Sequence, residues 1–432
     1  MGKLSNGFFY VKILQMKKIL ILPVIIAAFI SVSQAQSLSL KNFQLYGEGE
    51  IFGENTGSTG AVKSSFLLGV SFDIADNVKA AVAMGYQSFW GSDGLQGKPI
   101  STDLAAGEQG YLSDIKIVNA NLTLDKFFNV DGLNLKAGRQ FYGDEDSNIM
   151  YFGVRHDGGM MNAPITSLDA LTVNYDSNNV KTSILYGQMD SAPNSPVIMG
   201  GDAIVSDIAG IFDVEAYLYD AKNNAINTSG TNQDLIGINV QDYTLAGIKP
   251  SVKYENFTAS VEFAESFAGS GMFKNGVSQL DSNMVKIDAA YEIKSINLTP
   301  RATYFAAGGD GKSFVTFGNF FPGFVGFGGP NTDFLTQNGL DNTATYNNVR
   351  LFNVGADYAL SSFVFSLDYF RYDYRNRPAG VPSDTDSEID LIITYNFTDS
   401  FRLYAGIGEY IDKDRDFASS ADLRAGLAYK IQ

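Results

Sequence analysis

The chemistry open to this chain is bounded first by what it lacks. Its 432 residues hold no cysteine and a single histidine, His156. Thiolate nucleophiles, disulfides and cysteine-built zinc sites are therefore excluded. A histidine-activated serine would have to use His156. No serine stands in a nucleophile-elbow pattern, and no complete phosphate loop of Gly, four residues and Gly-Lys-Ser/Thr occurs. The residues thus point away from an enzyme, and they imply no cofactor. What remains is charge. The stretch 143–167 gathers Asp144, Glu145, Asp146, Arg155, His156 and Asp157 among apolar residues. That mix suits a segment folded into a channel, with apolar side chains on a wall and polar ones at a constriction. A histidine there titrates near neutral pH and could act as a gate. The plainer reading is a polar loop residue. Asp412, Asp414 and Asp416 space carboxylates two apart, which can gather oxygen ligands for calcium. Phe417 stands where a calcium loop needs glycine, and Lys413 and Arg415 offset the charge, so no metal is assigned.

Acids outnumber bases by 47 to 31, for a formal net charge of −16 and a pI near 4.5. A nucleic-acid partner needs a basic face, which this balance does not supply. With 45% hydrophobic residues, 32 Phe and 23 Tyr, the chain has ample surface to bury and is not disordered. At the N-terminus, Met16-Lys17-Lys18 precedes an apolar run from Ile19 to Ile30, and Ser33-Gln34-Ala35 supplies small residues before a cut. This is the build of a secretory signal peptide over residues 1–35, with Gln36 as the mature start. Met16 is the more natural initiator, so that residues 1–15 read as a start-site artefact. Lys3, Lys12, Lys17 and Lys18 leave with the leader and no acid does, so 27 bases and 47 acids remain, a net charge of −20.

These charges must be positioned by the elements around them, and the chain after residue 40 alternates. From Val62 to Ile74, Val62, Phe66, Leu68, Val70, Phe72 and Ile74 share one face with Ser64. Lys63, Ser65, Gly69, Ser71 and Asp73 share the other with Leu67. Period two is the signature of a strand with one apolar face. Such runs of about ten to thirteen residues are long for a soluble sandwich and right for a tilted membrane strand. Short connections alternate with long ones near 91–112, 143–167, 221–241, 268–282, 308–346, 375–385 and 412–419. The pattern predicts an all-β, transmembrane, antiparallel up-and-down β-barrel in residues 36–432. It has about eighteen strands, short periplasmic turns and long extracellular loops. The pair at 198–220 is the weakest, and without it the count is sixteen. A secreted all-β domain pair is the alternative, but an apolar face covered by lipid needs no second sheet. Aromatics at strand ends, such as Tyr254, Tyr291, Phe397 and Phe401, fit interfacial girdles.

Alternation also assigns inward faces, where charge is tolerated in a wet lumen. Inward charges include Glu48, Glu50, Lys249, Glu262, Lys286, Asp288, Arg301, Asp357, Asp368, Glu388, Asp390, Arg402 and Arg424. Both signs occur on adjacent strands, so pairing across the wall competes with lining the pore. Arg139, Arg155, Arg301, Arg402 and Arg424 are candidates for a positive strip at the narrowest point. Against it stand the acids of the outer mouth, Asp144, Glu145, Asp146, Asp384, Asp386, Asp412, Asp414 and Asp416. They predict a mild cation preference at low salt. Inward Gly69, Gly85, Gly355, Gly406 and Gly408 leave room for a channel or a packed loop. Phenylalanines interleaved with glycines between Phe314 and Phe327 either plug the mouth, meet a neighbouring protomer or dip into lipid.

The chain as a whole resembles Gram-negative outer-membrane porins. More narrowly, Leu135-Lys136-Ala137-Gly138-Arg139-Gln140-Phe141-Tyr142-Gly143-Asp144 is similar to the Gly-Arg-Gln segment that ends a strand in alginate-export-like barrels. The resemblance implies eighteen strands, a loop entering the lumen after this segment, and a pore role. It also implies passive diffusion of small hydrophilic solutes or ions, sugars or organic anions among them, across the outer membrane. A structural or adhesive barrel plugged by its own loops is the alternative. Expected partners are outer-membrane lipid and lipopolysaccharide, the barrel assembly machinery and the solutes themselves. A homotrimer and a monomer both remain open.

Overall fold

The computed structural model describes residues 41–56, 59–91, 115–145, 147–154, 165–189, 197–222, 242–268, 282–308, 313–316, 335–338, 343–347, 349–374, 386–411 and 420–431. Its main feature is one sheet of eighteen antiparallel strands. In chain order these are β1 (Lys41–Thr56), β2 (Thr59–Ala75), β3 (Val78–Gly91), β4 (Lys116–Leu124), β5 (Leu133–Gln140) and β6 (Leu168–Asp176). Then come β7 (Val180–Met189), β8 (Val197–Ile208), β9 (Phe212–Lys222), β10 (Asp242–Tyr254), β11 (Phe257–Ala268) and β12 (Ser282–Tyr291). The last six are β13 (Leu298–Ala307), β14 (Val349–Leu360), β15 (Phe363–Tyr374), β16 (Asp386–Asn396), β17 (Phe401–Ile411) and β18 (Ser420–Ile431). Each strand pairs with its sequence neighbours, and β1 closes on β18 from Gly47↔Ile431 to Thr56↔Asp422. Closure removes every edge, which is how a sheet satisfies its backbone groups without water. The weak pair at 198–220 is present as β8 and β9, in register from Val197↔Lys222 to Val205↔Val214. Several edges differ from the bounds read in the sequence: β1 runs on to Thr56 and β2 starts at Thr59, while β4 begins only at Lys116 and β5 stops at Gln140.

The short connections turn sharply. Asn77, Glu255 and Ser361 adopt positive φ of 62°, 51° and 55°, the left-handed conformation that lets a tight hairpin follow the strand twist. The barrel carries its apolar side outward: Ile51, Val62, Leu68, Val82, Ile184, Leu218, Leu367, Ile407 and Leu423 are all exposed. Apolar residues exposed over so many strands form the surface that lipid, not water, accommodates. Tyr254, Phe257, Tyr291, Phe363, Phe397 and Phe401 are exposed beside the short turns, as a girdle requires.

The inner face departs from expectation. It carries large buried side chains as well as small and charged ones. Leu245, Phe305 and Leu351 are fully buried, and Tyr219, Phe370 and Tyr372 nearly so. They cluster toward the long-loop ends of β9, β10 and β13 to β15. Inward glycines do not simply widen the bore either. A Cβ on Gly69 would collide with the Tyr46 ring, and one on Gly355 with the Asp368 carboxylate. One on Gly85 would press on Ile165 and Val118. Neighbouring side chains fill these places.

Candidate constriction and lumen wall

After β5 the chain leaves the wall. Tyr142–Gly143 pairs with Tyr151–Phe152 in a small hairpin. Gly143 has φ +85°, and a Cβ there would collide with the Met150 carbonyl oxygen, so this turn requires glycine. The Ser147 hydroxyl accepts hydrogen bonds from the N–H groups of Ile149 (3.1 Å) and Met150 (3.2 Å). Ile149, Met150 and Phe152 are at most 3% exposed and pack in one cluster with Leu168, Leu185, Ile198, Leu245, Phe305 and Leu351 of the inner wall. Burying each is worth roughly 1.5–3 kcal/mol relative to exposure. Farther along, Val154 and Ile165 pack on Leu67, Ala83 and Val118 of β2 to β4. The segment therefore lies inside the barrel.

Tyr142 anchors it. Its hydroxyl donates to Asp202 of β8 (3.1 Å), accepts from Ser183 of β7 (3.1 Å) and lies 3.3 Å from the Tyr219 hydroxyl of β9. Tyr219 also donates to Asp202 (3.0 Å). Burial, reinforced by the Asp202 charge, holds the Tyr142 phenol well above its ordinary value, so it stays a neutral donor. Phe314, from the 308–346 connection, is fully buried in the same cluster. A three-stranded sheet of Ser313–Thr316, Thr343–Asn347 and Leu335–Asn338 accompanies it. The phenylalanines from Phe317 to Phe327 lie outside the described residues.

The wall below this layer is polar and largely paired. Arg301 reaches across Gly355 to Asp368 (2.5 Å) and also holds Asp357 (2.9 Å). Asn353 donates to Asp368 (3.0 Å) and Ser366 to Asp357 (2.6 Å). Glu262 stands opposite Lys286 and accepts from Tyr217 (2.8 Å). Glu215 stands opposite Lys249. On the next strand, Glu388 of β16 accepts from Tyr372 of the adjoining β15 (2.9 Å). Tyr404 of β17 hydrogen-bonds Glu50 of β1 over Gly426 of the intervening β18, so it spans the seam where the barrel closes.

The sequence-derived candidates distribute as follows. Arg301 and Asp368 face inward and grip one another. Arg402 is inward and half-buried, and Arg424 is inward and 4% exposed. Asp144 is exposed and Glu145 half-buried beside the inserted hairpin, with Asp144 within electrostatic reach of Glu215. Asp146, Arg155, His156 and Asp157 lie outside the described residues, as do Asp384, Asp412, Asp414 and Asp416. Among the described residues no group of acids and histidine could hold a metal. Arg139 is a correction. Its partners in register are Ala120 and Asp169, on the face of the exposed Leu122 and Leu171, and it forms a bidentate pair with Asp169 (2.8 and 2.8 Å). It lies on the outer wall and does not line the pore. The positive strip thus dissolves: Arg402 and Arg424 sit on adjacent strands but four register positions apart (Arg402↔Ala428, Gly406↔Arg424), while Arg301 lies four strands from Arg402 between two acids. Tyr142, Asp202 and Tyr219 escaped sequence reasoning. The apolar run Ile149-Met150-Tyr151-Phe152 inside a polar connection is the signal that could have found the anchor.

No family model and no curated protein sequence matches the chain. Solved structures do. Acinetobacter baumannii OccAB4 is 13% identical, with 91% of this chain and 99% of that chain covered and a TM-score of 0.58. Pseudomonas aeruginosa OpdK, solved with vanillate, is 12% identical over 91% and 99%, also at 0.58. The outer membrane protein OprD from Pseudomonas aeruginosa is 10% identical over 92% and 95%, at 0.55. At these identities the fold is what is shared: like these structures, the chain is a closed antiparallel β-barrel.

Proposed function

We propose that this protein is an outer-membrane porin, a water-filled channel for passive diffusion of small hydrophilic solutes or ions. One observation carries the reading: a closed barrel, apolar outside and charged inside, holds its own hairpin 141–154 within the lumen as a constriction. Charge on the inner wall and apolar side chains on the outer one suit water within and lipid without. The solved neighbours support it, since OprD is an outer-membrane protein and OpdK was solved with a small organic acid, vanillate. The strand count of eighteen and the inward course after Gln140 support the likeness to alginate-export-like barrels. Purified protein in a planar bilayer gives discrete conductance steps on this reading. Silence at every salt concentration refutes it.

A second reading, a plugged structural barrel, draws on Phe314 buried in the lumen cluster. Deleting 314–328 then creates conductance where the intact protein has none. The export signal over residues 1–35 belongs to the same proposal; on it, mass spectrometry of the mature protein should find Gln36 at the N-terminus. The reading assigns no catalytic residue. Cross-linking in lipid distinguishes monomer from homotrimer.

A further inference from the structure

We propose that Arg139 and Asp169, both on the outer wall, are the positioning residues that hold the constriction hairpin inside the lumen. The ladder between β4 and β5 runs from Leu124↔Leu135 up to Ala120↔Arg139 and ends there, although β4 continues to Lys116. Above that point β5 has turned inward, and among the described residues no strand replaces it beside β4. Orphaned backbone groups in a lipid-facing wall cost as much as a lost hydrogen bond. Side chains take over the missing rungs. Arg139 Nη1 donates to the Ile117 carbonyl (3.2 Å), and Asn121 Nδ2 donates to the carbonyl of Arg139 itself (3.2 Å). On the inner side Gln140 Nε2 donates to the Ala170 carbonyl (2.9 Å), while its Oε1 accepts from Thr172 (3.1 Å). Gly138, at φ +120°, sits so close to β4 that a Cβ would collide with the Ala120 carbonyl oxygen. The Gly138-Arg139-Gln140 segment is therefore a hinge.

Asp169 completes it. It is the second residue of β6, the strand in which the inserted segment returns to the wall. The Arg139–Asp169 pair joins exit to re-entry and closes the stem of the excursion, with Gln140↔Leu168 the last register pair above it. The guanidinium fork serves the carboxylate through Nε and Nη2 and the Ile117 carbonyl through Nη1, a geometry lysine cannot reproduce. Without the pair, the top of the β5–β6 ladder frays and the hairpin lifts toward the mouth. The effect on the bore rests on the channel reading; the seating of the hairpin does not.

The test exploits the absence of cysteine. Met150 is 3% exposed in the lumen cluster, so Met150→Cys labels slowly with a bulky maleimide while the hairpin is seated. Adding Arg139→Ala or Asp169→Ala accelerates labelling roughly fivefold, the shift expected for losing one part-exposed bidentate pair. The two changes together accelerate it no further than Arg139→Ala alone, because both break the one ion pair and Arg139→Ala already removes the Ile117 bond. Arg139→Lys falls between. Asn148→Cys, at another buried position of the hairpin, repeats the measurement should Met150→Cys disturb packing. Arg371→Ala breaks a different outer-wall pair, Arg371–Asp373 (3.0 Å), and leaves labelling unchanged. Unaltered labelling in a folded Arg139→Ala barrel overturns the proposal, as does equal acceleration by Arg371→Ala. Labelling is read whether or not the barrel conducts, so a silent bilayer would remove the channel reading and leave this one standing.

Discussion

Replacing Arg301 with glutamine tests whether paired wall charge sets the field in the lumen. Arg301 neutralises one of the two carboxylates it touches, at 2.5 Å to Asp368 and 2.9 Å to Asp357. The three groups carry −1 together, and in Arg301→Gln they carry −2. Each carboxylate keeps a neutral donor, Asn353 or Ser366. The side chains of Arg301 and Asp357 are 30% and 39% exposed, so the stability loss is about 1–2 kcal/mol, well below that of breaking a fully buried pair. The electrical effect follows from Coulomb's law. One added charge ~7 Å from a passing ion in water is worth about 0.6 kcal/mol, close to RT. Cation occupancy then rises about threefold and anion occupancy falls about threefold at low salt. Reversal potentials under a KCl gradient should move toward the cation by that ratio. The shift should shrink above roughly 0.1 M salt, where screening acts within about 10 Å. A folded Arg301→Gln barrel with unchanged selectivity, or one shifted toward anions, would show that ions do not pass this wall.

Three further changes probe the packing. Phe152→Ala removes a ring that is 1% exposed and costs about 3–5 kcal/mol of local packing. Single-channel conductance should rise, while the barrel still resists SDS before heating. Tyr404→Phe deletes the hydrogen bond to Glu50 across the closure seam. Urea unfolding in lipid should report a loss of about 1.5–3 kcal/mol, the worth of a hydrogen bond to a charged group. The Tyr142 phenol is held above its ordinary value of 10.0. Its contribution to seating the hairpin is therefore complete below pH 10.0 and lost as pH rises through the folded value. Conductance noise should increase on the alkaline side, and Tyr142→Phe should remove that hydroxyl's share of the pH dependence.

Much of this architecture is legible in the sequence because it is local. Alternation from Val62 to Ile74 reflects the two-residue period of any extended backbone, and it separates Lys63, Ser65 and Leu67 from Val62 and Leu68 without knowledge of the partners. Turn residues such as Asn77 and Glu255-Asn256 mark where each run reverses. The eighteen strands, the apolar outside and the inward course of Arg301, Asp368, Arg402 and Arg424 follow from these two signals. Tertiary structure alone decided what the inward residues meet. Tyr142 finds Asp202 sixty residues away because β8 and the inserted hairpin share one interior, and closure sets that distance. Phe305 and Tyr372 are inward by the same parity as Arg301, yet they are packed under the hairpin while Arg301 is held by two acids. Their different surroundings come from the height at which the hairpin enters. Arg139 shares the face of Leu133, Leu135 and Ala137 by the same period, and the ladder to Ala120 and Asp169 shows that the strand keeps this parity one residue beyond Gly138 before it leaves the wall. Period two states which residues share a face. Which face a strand end presents, and what covers it, depends on where the chain leaves the sheet.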